Sequence, residues 1–87
     1  MTVAYPKPDD ALKKRVRDAF QSDFPNALVD ISDGYQGRLH VILVSREFDE
    51  MPELERNNIL WDIVRDTMGE DAQRISLMLA YSPEELK

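Results

Sequence analysis

Hydrophobic residues along this chain recur first at helical and then at strand spacing, and the changes of period mark out six elements. Leu12, Val16, Phe20 and Phe24, joined by Ala19, recur at steps of three and four, which predicts one buried helical stripe. That helix is expected to start at Asp9 or Asp10, where a carboxylate caps it, and to stop near Asp23, before Pro25-Asn26. Residues 1–8, with Pro6 and Pro8, read as a flexible tail ahead of a single domain at 9–87. Residues 28–32 alternate, with Val29 and Ile31 on one side and Asp30 and Ser32 on the other, as in a half-exposed strand. Asp33-Gly34-Tyr35-Gln36-Gly37 supplies a turn with two glycines tolerant of positive φ, and residues 38–45 form a second, more apolar strand.

Pro52 opens a second helix that should end at Gly69. Its buried track is expected along Leu54, Asn57, Trp61, Val64 and Met68, widened by Ile59, Leu60 and Ile63. A third strand at about 74–81 lies too far from the second for a tight hairpin, so a helical crossover to a parallel neighbour is expected. Ser82-Pro83-Glu84-Glu85 then has the form of a capping box opening a last short helix. The order predicts an α+β fold of pattern αββα(α)β, with helices packed on one face of a three-stranded mixed sheet.

Composition narrows function mainly by exclusion. The 87 residues suffice for one core, and 43% apolar with 32% charged residues is ordinary globular composition. The absence of cysteine excludes a disulfide framework, a thiolate nucleophile and a cluster or zinc ion held by Cys of this chain. Seventeen acidic against eleven basic residues leave a net charge of −6, which opposes whole-molecule attraction to nucleic acid or anionic lipid. The N-terminus does not read as a signal peptide, and the longest apolar runs are far too short to span a membrane. A cytoplasmic protein is the expectation.

Few residues ask for chemistry. Gly34-Tyr35-Gln36-Gly37 has the G-x-x-G form of a phosphate-clamping loop but stands between strands, where a hairpin turn accounts for it. Lys13, Lys14, Arg15 and Arg17 form one basic cluster, readable as a solvated helix face or as a docking patch for an acidic surface. Glu47, Asp49, Glu50, Glu53 and Glu55 lead into the second helix, whose dipole explains the last two, and no calcium-loop spacing is present. His40, alternating with Leu39 and Val41, should face away from the core. Asn57 interrupts an apolar track, so it sits at the rim or bonds to a neighbouring strand. No Ser/His/Asp set, paired histidines or phosphate loop points to catalysis, and no enzyme is expected.

Several strings, in this order, resemble the BolA family: Val29-Asp30-Ile31-Ser32, then Val44-Ser45 with Phe48, then Arg56-Asn57-Asn58 ahead of Trp61, then Tyr81-Ser82-Pro83-Glu84-Glu85. The resemblance covers about residues 12–86. It implies a fold related to the type II KH domain and a non-enzymatic role, with members binding monothiol glutaredoxins and sharing a [2Fe–2S] cluster through histidine. Here the family's histidine positions carry Arg38, Asn57 and Arg74. Arginine does not lose its proton to become a ligand, and an amide is a poor donor to iron. His40, two residues from Arg38 and of the same strand parity, is the one residual ligand candidate.

The resemblance therefore implies an adaptor or regulator with a protein partner, a monothiol glutaredoxin being the expected class, and with no cofactor or metal of its own. Arg38, Asn57, Arg74 and Arg56 are the candidate partner- or anion-binding residues, with Asn57 expected near an Arg38–Arg74 pair. Two alternatives stand beside it. One is a KH-like nucleic-acid-binding regulator using Lys13, Lys14 and Arg17 or the last helix. The other is a small-anion-binding domain at Arg38 and Arg74. A monomer or weak homodimer is expected, with no membrane partner.

Overall fold

The computed structural model describes residues 5–87. Helix α1 (Asp10–Asp23) is capped by the Asp9 carboxylate, which accepts from the Leu12 N–H at 2.8 Å, and it buries Leu12, Val16 and Phe20. Strands β1 (Leu28–Asp33) and β2 (Leu39–Val44) pair antiparallel, with Val29 opposite Leu43 and Ser32 opposite His40. Helix α2 (Glu53–Met68) then crosses over to β3 (Ile75–Tyr81), which lies parallel to β2 and completes the sheet order β1-β2-β3. The result is a small α+β domain, two helices packed with a three-stranded mixed sheet. No helix of the described residues is long and apolar enough to cross a membrane.

Alternation places Leu39, Val41 and Leu43 of β2 fully inside, where they join Val16, Phe20, Leu60 and Val64 in one core. In β3 the inward residues Ile75 and Met78 are three apart instead of two. The pairing slips by one residue between Leu39 and His40, because Leu39 faces Ile75 whereas His40 faces Leu77. An extra residue in one strand resets the alternation in this way. Phe48, in a 3-10 turn at Arg46–Phe48, closes the core against Phe24, with ring centroids 5.1 Å apart.

Four expectations change. First, α2 is rotated from the predicted track: its buried stripe is Arg56, Leu60, Val64 and Met68, while Leu54 is 72% exposed and Asn57 and Trp61 are half-buried. An arginine heads that stripe, which a hydrophobic period cannot anticipate. Second, the positive-φ residues of the β1–β2 turn are Gln36 (φ 58°) and Gly37 (φ 78°), not Gly34, which is extended at φ −101°. Third, the C-terminal element is a 3-10 helix, Pro83–Leu86. Fourth, Pro52 is the N-cap of α2 and not its first helical residue, whereas Gly69 ends the helix at φ 55° as predicted.

The expected N-terminal tail divides. Residues 1–4 lie outside the described residues, and residues 5–8 have no regular secondary structure but lie against the β1–β2 turn, with Pro8 buried. The Tyr5 N–H donates to the Gln36 carbonyl at 2.9 Å. On the far side of the sheet no helix covers the residues that alternate with the core: Leu28, Asp30 and Ser32, then His40, Ile42 and Val44, then Leu77, Leu79 and Tyr81. Leu28 and Leu77 are 72% and 39% exposed there.

Candidate functional site

Arg74 and Arg38 stand at the entrances to β3 and β2, yet they do different things. The Arg74 guanidinium acts as a strut: one terminal nitrogen donates to the Pro6 carbonyl at 2.8 Å and to the Gly37 carbonyl at 3.1 Å. Its Nε is buried without a partner among the described residues. The Tyr5 ring lies 5.1 Å from the Arg74 guanidinium and 5.8 Å from that of Arg38, both within cation–π range. Arg38 makes no other side-chain contact of polar kind among the described residues, and no carboxylate there lies within 4.0 Å of it. It lines an open depression of about 540 Å³ with Trp61, Arg65, Gly69, Ala72, Gln73 and Ile75.

Asn57 is not with them. It lines a separate depression, alongside Met51, Arg56, Leu79, Ala80, Tyr81 and Glu85, so the expected grouping of Asn57 with the Arg38–Arg74 pair does not form. The physical reason is the course of the chain: α2 begins beside the end of β3, whereas Arg38 and Arg74 precede the parallel strands β2 and β3.

Arg56, only 7% exposed, turns inward. Its Nε donates to the Met51 carbonyl at 2.8 Å, and one terminal nitrogen donates to the Ala80 carbonyl at 3.1 Å and the Glu85 carboxylate at 2.5 Å. Its guanidinium also lies 5.9 Å from the Phe48 ring centroid. One side chain thus ties the start of α2 to the end of β3 and to the final 3-10 helix. Glu85 is held further by the Ser82 N–H at 2.7 Å, the expected capping contact.

Two carboxylates are tuned by such contacts. The Ser82 N–H and then Arg56 hold Glu85 below its ordinary value of 4.5, and the bond from Lys13 holds Asp33 below 3.8. Both groups bind a proton more readily in the unfolded chain, so the stability they contribute is complete at neutral pH and is lost as pH falls through their folded values. Glu85→Gln is expected to lower the melting temperature at neutral pH and to converge with the parent in acid, so the acid limb of Tm against pH becomes flatter. An unchanged acid limb would show that Glu85 is not coupled to folding.

His40 stands on the uncovered sheet face. An added Cβ at Gly34 would lie 2.9 Å from its ring, so the imidazole packs over that glycine, while Arg38 lines the depression beside α2. The two do not face one site. Among the described residues no three His, Cys, Asp or Glu side chains come together as a metal cluster would require. The donor set of Arg38, Asn57 and Arg74, two guanidiniums and an amide, does not fit an iron–sulfur cluster.

In the basic cluster of α1, Lys13 pairs with Asp33 at 2.8 Å, Lys14 with Asp18 at 2.6 Å and Arg15 with Asp71 at 3.1 Å, leaving Arg17 alone without a carboxylate among the described residues. Three of its charges are therefore locally matched. Comparison with family models, curated proteins and solved structures finds no match to this chain.

The sequence reading missed Arg65 and Gln73 as neighbours of Arg38. One signal was available: Trp61 and Arg65 stand four apart on a predicted helix, and their side chains meet, the guanidinium 6.0 Å from the ring centroid. Nothing in the spacing indicated Tyr5.

Proposed function

We propose that this chain is a BolA-like adaptor, a non-enzymatic cytoplasmic protein that works through protein–protein contacts and does not ligate a cluster from the family's usual positions. The observation that supports it is topological. Helix, antiparallel strand pair, helical crossover and a third strand parallel to the second is the arrangement expected of the KH-related fold that the resemblance implies. Fold is a weaker guide to role than a site is, and the site points the same way: Arg74 is committed to two backbone carbonyls, and Asn57 stands apart from it. What remains for such a protein is contact, with a monothiol glutaredoxin as the partner class.

The test is a titration of this protein into a [2Fe–2S]-loaded monothiol glutaredoxin, with heat and visible circular dichroism followed together. Heat without a change in the cluster spectrum is the expected result. A changed spectrum would make this chain a ligand donor, with His40→Ala the next variant. Absence of heat would remove glutaredoxin as the partner and with it this reading.

A further inference from the structure

We propose that the depression between the C-terminal half of α2, the turns at Gly69–Arg74 and the start of β2 binds a small anion carried on a flat ring. Arg38 and Arg65 would grip a phosphate or carboxylate, and Trp61 would stack on the ring. The inference is independent of the adaptor reading.

The lining is unusual for this chain. The protein carries a net charge of −6, yet the residues around this depression are Arg38, Trp61, Arg65, Gly69, Ala72, Gln73 and Ile75, with no carboxylate among them. Three other depressions all include acids: Asp18, Asp23, Asp62 and Asp66 between α1 and α2, Glu53 and Glu85 beside Arg56, and Glu47 near β2. The volume, about 540 Å³, falls within the range of small-molecule sites.

The chemistry of the walls converges on one ligand class. Among the described residues the Arg38 guanidinium has no hydrogen-bond acceptor and no carboxylate, so its whole fork is free, in the planar geometry that suits phosphate or carboxylate. Arg65 reaches Asp62 only through an exposed pair at 3.3 Å, a contact that costs little to exchange. Its guanidinium stays over the Trp61 ring at 6.0 Å, so cation and aromatic surface form one unit on α2. Ala72 and Ile75, both buried, provide an apolar floor, and the exposed Gln73 supplies an amide at the rim.

Size follows from electrostatics. A polyanion would meet the repulsion of the whole acidic surface, whereas one anionic group at short range meets mainly the two arginines, since screening in physiological salt acts over about 8 Å. Arg74 does not share the grip: it does not line this depression, and one of its terminal nitrogens is turned to the Pro6 and Gly37 carbonyls.

Trp61 is the single tryptophan of the chain, so its fluorescence reports on this site alone. The probes are adenosine monophosphate and benzoate, an anion on a ring in phosphate and carboxylate form, with adenosine and inorganic phosphate as the separated parts. Excitation at the red edge of the tryptophan band avoids nucleotide absorption. A saturable change with either ringed anion is expected, with its separated parts binding at least about tenfold more weakly, as loss of a charge-assisted fork or of a stacked ring implies. Arg38→Ala and Arg65→Ala should each weaken it by about tenfold or more. Arg17→Ala removes the same charge from α1 and should leave it unchanged. Saturation by the phosphate arm or by the carboxylate arm alone identifies the anion and supports the proposal. Non-saturating quenching by both ringed anions, equal binding of adenosine or inorganic phosphate, or equal losses in the Arg17 and Arg38 variants would overturn it. Among the described residues the Arg38 side chain makes no hydrogen bond, so its variant is expected to fold, and a thermal melt checks this.

Discussion

Arg56→Ala should cost about 3 kcal/mol of stability and lower the melting temperature by about 15 °C. The Arg56 side chain, 7% exposed, donates to the Met51 and Ala80 carbonyls. Removing it takes the donor from two half-buried carbonyls, and a buried group deprived of its partner costs about 1–3 kcal/mol. The stem's packing against Phe48 is lost as well. Glu85 adds little to this sum, because half its side chain meets water and can be solvated there. Arg56→Lys separates charge from geometry. An ammonium can reach one of the three acceptors but cannot span them, so an intermediate melt is expected. A melt by circular dichroism within a few degrees of the parent for Arg56→Ala would show that the guanidinium is dispensable.

Gly37→Ala should cost about 2–3 kcal/mol, from two sources that can be separated. At φ 78° an alanine pays the left-handed penalty of roughly 1–2 kcal/mol. Its Cβ would also collide with the backbone of the N-terminal segment, lying 2.6 Å from the Pro6 carbonyl oxygen and nearer still to that of Tyr5. That segment would have to leave, breaking the Tyr5–Gln36 and Arg74–Pro6 hydrogen bonds. In a chain lacking residues 1–6 there is nothing to collide with, and the same substitution should cost only its backbone share. Urea melts of the four proteins form a double-mutant cycle. A coupling near zero would mean that residues 5 and 6 do not depend on the glycine.

The elements themselves were readable because their causes are local. The α1 stripe of Leu12, Val16 and Phe20, its Asp9 cap, the alternation of β1 and the stop at Gly69 each follow from a few adjacent residues, and each is found. The parallel placement of β3 was also readable, since a long helical connection leaves little alternative. The face of α2 was readable only in part: Leu60, Val64 and Met68 are buried as expected, but Arg56 was not foreseen. A hydrophobic period counts Arg56 as polar and moves the stripe toward Leu54 and Trp61, whereas the folded chain brings Met51, Ala80 and Glu85 to the guanidinium and makes its burial tolerable.

The same division runs through the candidate site. Arg38, Asn57 and Arg74 were singled out as candidate binding residues by the resemblance to a histidine-ligated family, which rests on residue identity and order. Which of them is free was decided by contacts across the chain. One terminal nitrogen of Arg74 is taken up by carbonyls 68 and 37 residues away, while Arg38, of identical chemistry, has among the described residues only the Tyr5 ring and opens beside Trp61 and Arg65. A side chain's period and type are properties of its own segment and so are written in sequence. Satisfying a buried or half-buried guanidinium takes acceptors from several segments at once, and only the assembled tertiary structure supplies them.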